Sequence, residues 1–179
     1  LGAYGYTVAC IRSLLFDANV QQSLSEEDIL TVLAAGLLHD VGHYPFAHSL
    51  EAVHDTARDT PRHELLGQDI VVSTLGPVLR ASLGVIPERV ASLFCRSWSE
   101  HEGVDCLLAS ILSGAIDADK MDYLERDSSH LGVPYGRSFD IERLLSSLCV
   151  NESNGCLAVD IKGKVPAEMF IFSRYMMFS

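Results

Sequence analysis

Four of the seven histidines lie in the segment HDVGHYPFAHSLEAVH, residues 39–54. His39 and Asp40 come directly after the apolar stretch Ile29–Leu38. An imidazole nitrogen and a carboxylate oxygen can bind Mn, Fe, Ni, Co, Zn or Mg, and this donor pair does not select one of them. Adjacent residues of a helix point about 100° apart, so the pair can converge on one ion only near a helix end or in a cleft. The dipeptide alone suits a metal site or a helix cap with an ion pair.

Two further histidines favour the metal site. His43 follows His39 by about one helical turn, and His48 comes after a turn interrupted by glycine and proline. Sites for a metal and a phosphate need histidines and carboxylates gathered in this way. The cluster therefore predicts one divalent metal ion beside the end of a helix.

A second polar cluster lies in IDADKMDYLERDSSHLG, residues 116–132. If the chain is helical from Asp119, then Asp119, Tyr123 and Asp127 fall at about 0°, 40° and 80° around the helix axis. Lys120 lies at the edge of the same face, at about 100°. The spacing predicts two carboxylates, a phenol and an ammonium on one face, although a solvated helix with an ion-pair ladder would give the same spacing.

Helical patterns surround both clusters. Ser25, followed three residues later by Asp28, predicts a helix start ahead of ILTVLAAGLL. Pro45 near a first turn predicts a short helix in FAHSLEAV. Further helices are expected at His63–Thr74, Pro87–Cys95, Val104–Leu112, Asp119–Ser128 and Asp140–Cys149.

The turn-forming residues Ser153-Asn154-Gly155 predict one hairpin, between Leu148–Asn151 and Cys156–Ile161. The predicted fold class is therefore mainly α, a helical bundle with at most one small β-hairpin. Both ends of the sequence interrupt a helical pattern, so we expect residues 1–179 to form a single domain truncated at both ends.

Composition limits the possible partners and compartment. The 179 residues are 48% hydrophobic, which suits one buried core, and the formal net charge is -11. So acidic a surface argues against duplex nucleic acid or an anionic membrane as the main partner. The longest apolar stretch is too short for a bilayer, and no leader pattern is present, so we expect a cytoplasmic protein. Five scattered cysteines, none spaced as CxxC, predict free thiols and no disulfide framework.

Together, HDVGHYPFAHSLE and the downstream DADKMDYLERDSSHLGVPYG resemble the HD-domain phosphohydrolases, and more narrowly the branch of sterile-alpha-motif-and-HD-domain dNTP triphosphohydrolases. The resemblance runs from Leu1 to about Arg174. It implies a helical HD domain whose metal is held by a first His, a His-Asp pair and a distant Asp. His39 and Asp40 match the pair, and Asp119 matches the distant ligand, with Asp117 as its neighbouring competitor. The match to the first His would lie just before Leu1.

The resemblance also implies roles for other residues. His63 matches the catalytic histidine and Glu51 the acid that orients it, while His43 and His48 match histidines that face the phosphate. Lys120 matches a lysine that contacts a triphosphate. Contacts with the sugar or nucleotide are implied for Tyr123, Asp127 and Arg174.

The function expected from these parts is metal-dependent hydrolysis of a deoxynucleoside triphosphate to deoxynucleoside and triphosphate, in a homo-oligomer. Two alternatives stay open at this point. One is an HD phosphohydrolase for nucleoside monophosphates, cyclic dinucleotides or alarmones. The other is a non-catalytic HD module that binds a nucleotide or a partner and regulates another activity. A helical interaction domain with incidental histidines would leave both ordered motifs unexplained.

Overall fold

The computed structural model describes residues 1–44 and 63–178, and within these ranges the chain is mainly helical with one small hairpin, as predicted. The strands β1 Leu148–Val150 and β2 Leu157–Val159 pair antiparallel. No helix in the described ranges is both long enough and apolar enough to span a bilayer. The helices are α1 Gly2–Leu14, α2 Ala18–Ser23, α3 Glu26–Leu38, α4 His63–Asp69, α5 Gly76–Leu83, α6 Pro87–Cys95, α7 Gly103–Ser113, α8 Ala118–Leu131, α9 Ile141–Leu145 and α10 Lys164–Met177.

Some predicted elements differ from those observed. The helix predicted over Asp140–Cys149 is wrong in its second half, because α9 ends at Leu145 and Cys149 pairs with Ala158 in the hairpin. Pairing with β2 satisfies the backbone of this segment, so tertiary context overrides its local helical pattern. The helices α2 and α5 were not predicted. The helix predicted in FAHSLEAV, together with His48 and Glu51, lies outside the described residues.

The start of α3 confirms the predicted capping pattern. The Ser25 hydroxyl accepts a hydrogen bond from the backbone N–H of Asp28 at 3.1 Å, and the Asp28 carboxylate accepts one from the backbone N–H of Ser25 at 2.8 Å. Two otherwise unsatisfied N–H groups are thus paired at the helix start. Further along α3, a Cβ on Gly36 would lie 2.5 Å from Thr7 Oγ1, so α1 crosses α3 closely there.

The core forms where α1 packs along α8 and against α3, while α3 also packs against α6 and α7. Since α1 contacts both helices, it fixes α3 relative to α8, the two helices that carry the polar clusters. The largest side chains that are fully buried in this core are Phe170, Leu14, Leu93, Leu108, Ile111, Met121, Leu124 and Leu144.

The prediction that all cysteines are free is wrong for Cys106 and Cys156, which form a disulfide between α7 and the start of β2. Both residues are 4% exposed. The hairpin also attaches to α7 where the backbone N–H of Leu157 donates to Ser110 Oγ at 2.8 Å. The pairing depends on how the hairpin folds onto α7, so cysteine spacing did not reveal it.

An ion-pair network joins α3, α6 and α7. Arg89 Nη2 lies 2.5 Å from Asp28 Oδ1 and 2.6 Å from Asp105 Oδ1. Burial acts to raise the pKa of Asp28, but hydrogen bonds from Ser25 and Arg89 outweigh burial and lower it. Stability contributed by Asp28 is therefore present above the usual carboxyl pKa and is lost as pH falls through the lowered value.

Replacing Arg89 by Met should lower the free energy of unfolding by about 2 kcal/mol, because it removes charged hydrogen bonds and leaves Asp28, 13% exposed, without its cation. Denaturant unfolding at neutral pH measures the change. The matched control is Arg80→Met, since Arg80 is 53% exposed and pairs with Glu88 on the surface. Equal losses in the two variants would contradict a special role for the Arg89 network.

Candidate metal centre

The C-terminal end of α3 meets the first turn of α8, which brings together His39, Asp40 and Asp119. One ligand atom from each lies within 4.8 Å of the others, and this is the only such grouping of His, Cys, Asp or Glu in the described ranges. His39 Nε2 lies 3.2 Å from Asp40 Oδ2 and 3.4 Å from Asp119 Oδ1. The three predicted ligands therefore converge on one point, although His39 and Asp119 are 80 residues apart.

The orientation of His39 suits metal binding. Its Nδ1–H donates to the backbone carbonyl of Gly36 at 3.1 Å, within the last turn of α3. This hydrogen bond leaves Nε2 to face the two carboxylates. Metal-ligating histidines usually donate their other ring N–H in this way, which fixes the tautomer and the ring direction. One imidazole nitrogen and two carboxylate oxygens fit a divalent cation, without selecting Mn, Fe, Ni, Co, Zn or Mg.

Charge at the site favours a cation strongly. Burial acts to lower the pKa of His39, but hydrogen bonds and charges from Asp119 and Asp40 outweigh burial and raise it to about 10. The hydrogen bond from His39 is the main cause that holds the pKa of Asp40 below its usual value. In the metal-free protein the imidazolium therefore supplies the positive charge that the two carboxylates require.

Metal binding should release about one proton at neutral pH, because a ligating imidazole must be neutral while metal-free His39, with a pKa of about 10, is protonated. The apparent metal affinity should accordingly rise about tenfold per pH unit from pH 6 to 8. Calorimetry in buffers of different ionisation enthalpy measures the released protons. His130→Gln on α8, outside the cavity, should leave the release unchanged. A pH-independent affinity would contradict this account of His39.

Asp117 and Lys120 are placed away from the three ligands. Asp117 is fully buried and caps α8, where it accepts a hydrogen bond from the backbone N–H of Lys120 at 2.8 Å. Lys120 Nζ lies 2.5 Å from the same carboxylate. The structure thus brings Asp119, and not its competitor Asp117, to His39. The predicted contact between Lys120 and a triphosphate stays a prediction, since Lys120 does not line the cavity described below.

A pair of histidines lies beside the ligands. The rings of His43 and His63 stack with centroids 4.0 Å apart and an interplanar angle of 17°. His43 Nε2 lies 3.3 Å from Asp40 Oδ1, and His63 Nε2 lies 3.4 Å from Glu64 Oε1. The stack depends on Gly42, because a Cβ there would lie 2.1 Å from the His63 carbonyl oxygen. Two predicted catalytic residues are therefore in contact, and one of them touches a ligand.

A cavity of about 750 Å³ opens over these groups. Its wall continues along α8 through Tyr123 and Asp127 to Arg174 and Phe178 at the end of α10. The Tyr123 and Phe178 rings meet edge to face at 5.8 Å. Burial is the main cause that raises the pKa of Tyr123, and the positive charge of Arg174 opposes it. Charged and aromatic groups thus extend from the ligands along one wall.

Two charged residues that the sequence analysis missed also line the cavity, Glu64 and Arg126. Glu64 follows His63 directly, so its position in the sequence was a usable signal. Arg126 lies seven residues after Asp119, hence at about -20° on the same helix face, which was also readable from the sequence. Glu51 and His48 lie outside the described residues, so their assigned roles stay predictions.

Comparisons with known proteins identify the family of this chain. The family model described as HD domain matches residues 7–127. An uncharacterized protein of Bacillus subtilis, YwfO, is 38% identical over 147 residues, which cover 82% of this chain and 31% of that protein. The deoxynucleoside triphosphate triphosphohydrolase SAMHD1 of Gallus gallus is 28% identical over 175 residues, covering 83% of this chain and 28% of that protein.

A solved structure shares the fold. The crystal structure of a phosphohydrolase from Bacteroides thetaiotaomicron superimposes with a TM-score of 0.72 at 27% identity. The match covers 99% of this chain and 40% of that one. The chain spans about a third of the length of the curated relatives YwfO and SAMHD1.

Proposed function

Because this chain belongs to the HD domain family, we propose that it hydrolyses phosphoester or phosphoanhydride bonds with a divalent metal ion. One observation carries the proposal: three ligand atoms from His39, Asp40 and Asp119 converge within 4.8 Å at a cavity wall that also holds a stacked histidine pair. A cavity of about 750 Å³ is within the range typical of small-molecule sites.

The metal would be held by His39 Nε2 and by carboxylate oxygens of Asp40 and Asp119. When bound, a divalent ion supplies Lewis acidity that polarises a phosphoryl oxygen and activates water. The hydrogen bond from His39 Nδ1 to Gly36 keeps the ligating nitrogen aimed at this point. Asp40 also contacts His43, so the ligand set is coupled to the neighbouring histidines.

His63 would move a proton to or from the reacting oxygens. Stacking on His43 holds one face of its ring, and Glu64 Oε1, 3.4 Å from Nε2, orients its edge. General acid–base help of this kind is typically worth about 10²–10⁴-fold in rate. Glu51, to which the sequence analysis assigned this orienting role, lies outside the described residues, so its role stays a prediction.

A deoxynucleoside triphosphate is the proposed substrate. Water would add to the α-phosphorus, the bond to the 5′ oxygen would break, and deoxynucleoside and triphosphate would leave. Three features support this choice: Tyr123 and Asp127 offer a phenol and a carboxylate to sugar hydroxyls, Arg174 offers a cation, and one relative is named for this activity. The phosphate contacts that the sequence analysis assigned to His48 and Lys120 stay predictions, since His48 lies outside the described residues and Lys120 lies outside the cavity lining.

A substrate panel tests the proposal. The full encoded protein is loaded in turn with Mn²⁺, Mg²⁺, Ni²⁺ or Fe²⁺ and given dNTPs, nucleoside monophosphates, cyclic dinucleotides and alarmones, with Asp40→Ala as the inactive control. We expect the protein to release triphosphate from dNTPs, and we expect Asp40→Ala to abolish this release. Turnover of only the other nucleotides would contradict the assignment of dNTPs as substrate. Metal binding without turnover of any nucleotide would favour a regulatory module. Light scattering on the same preparation tests the expected homo-oligomer.

A further inference from the structure

The cavity around the metal ligands is rich in carboxylates and poor in cations. Among the described residues that line it, the carboxylates are Asp40, Glu64, Asp119 and Asp127, and the only lysine or arginine side chains are Arg126 and Arg174. A phosphoryl group gains negative charge on its oxygens as it reacts, so preorganised N–H donors or cations stabilise it. Besides a bound metal ion, these two guanidinium groups are therefore the candidates to bind phosphoryl oxygens.

Two other cations were candidates from the sequence, Lys120 and Arg174. Lys120 lies 2.5 Å from the buried Asp117 carboxylate and does not line the cavity. Arg174 lines the cavity near Tyr123, whose pKa its positive charge acts to lower. Arg126 is the remaining lysine or arginine side chain among the described residues that line the cavity.

Arg126 lines the cavity together with the three ligands. Its Nη1 lies 2.7 Å from Asp122 Oδ2, one turn earlier on α8, so the side chain points back toward the start of the helix. The guanidinium is thus roughly level with Asp122, only about 4.5 Å along the helix axis from Asp119.

The guanidinium is held on one side and open on the other. Asp122 is 13% exposed and lies against the start of α1, since a Cβ on Gly2 would lie 1.7 Å from Asp122 Oδ1. Nε lies 3.8 Å from Asp127 Oδ1. No described residue accepts a hydrogen bond from Nη2, and the Arg126 side chain is 51% exposed. A donor fixed in this way can bind an anion with little loss of side-chain freedom.

We propose that Arg126, positioned by Asp122, binds a non-bridging oxygen of the phosphoryl group that reacts at His39, Asp40 and Asp119. This assignment rests on the proposed phosphohydrolase function and adds a substrate-binding residue to it. It gives the site two guanidinium groups, Arg126 and Arg174, that line the same cavity as the ligands.

Binding of inorganic phosphate tests the assignment without turnover. The full protein, loaded with Mg²⁺, is unfolded thermally at increasing phosphate concentration and constant ionic strength, and the rise of the midpoint gives the apparent Kd. Arg126→Gln should weaken phosphate binding at least tenfold. The phosphate affinity of Arg126→Lys should lie between those of the wild type and Arg126→Gln, because lysine keeps the charge but lacks the planar fork of donors. Arg137→Gln is the matched control, since Arg137 is 53% exposed and does not line the cavity.

A second variant separates binding from folding. Asp122→Asn keeps the charge of Arg126 but removes its anchor, so it should weaken phosphate binding less than Arg126→Gln does. Midpoints without phosphate report any loss of stability separately. If Arg126→Gln binds phosphate as tightly as the wild type, the assignment is overturned, whatever its stability. The assignment is also overturned if phosphate does not stabilise the wild type. The proposed function is tested separately, by turnover of the nucleotides in the substrate panel.

Discussion

Replacing Asp119 with Asn should lower metal affinity at least about a hundredfold and kcat/KM about a thousandfold, equivalent to about 4 kcal/mol of transition-state stabilisation. Asn keeps the size of the side chain but removes the charge that faces His39 Nε2 at 3.4 Å. Changes to residues that merely orient metal ligands typically cost 10–100-fold, so the loss of a direct ligand should cost at least as much. Metal content by mass spectrometry and turnover of the best substrate measure both effects.

The control for this variant is Glu125→Gln, which removes a carboxylate from the same helix outside the cavity. Glu125 accepts a hydrogen bond from Tyr6 at 2.5 Å and is 51% exposed, so its loss should affect α1 packing and not metal content. Asp119→Asn protein that retains full metal content would show that Asp119 is not a required ligand. If that protein also loses turnover, Asp119 would act in substrate chemistry and not in metal binding.

Replacing Gly42 with Ala should disrupt the histidine pair. The added Cβ would lie 2.1 Å from the His63 carbonyl oxygen and 2.4 Å from the Gly67 backbone nitrogen. Backbone atoms of α4 cannot yield as a flexible side chain can, so α4 must move away from the loop that follows α3. Overpacking of this kind typically costs about 1–3 kcal/mol of stability. A displacement of about 1 Å at His63 would lower kcat about a hundredfold.

Thermal unfolding and kcat measure the two effects of Gly42→Ala. Gly5→Ala in α1 is the matched control, because a Cβ on Gly5 would meet nothing within 4 Å. Alanine in a helix is favoured over glycine by about 0.5–1 kcal/mol, so the control should be neutral or slightly stabilised. Native stability and turnover in Gly42→Ala would contradict the close approach of the two segments.

Short-range interactions made much of the fold predictable from sequence. Ser25 and Asp28 cap each other within one turn, so their spacing alone predicted where α3 begins. Gly155 adopts a positive φ of 72° beside a turn, which agrees with the predicted hairpin. His39 and Asp40, at the end of an apolar helix, marked the candidate site by type and spacing. Each of these features depends on neighbours in sequence, which local pattern captures.

Tertiary packing decided which side chains meet. Sequence spacing left Asp117 and Asp119 as competitors, and the packing of α1 against α3 and α8 brought only Asp119 to His39. The disulfide between Cys106 and Cys156 depends on how the hairpin lies on α7, across 50 residues of chain. The contact of His43 with His63 depends on the approach of α4 to Gly42. The sequence determined the donor types and the helices that carry them, whereas convergence of distant side chains required the relative placement of helices, which no local pattern encodes.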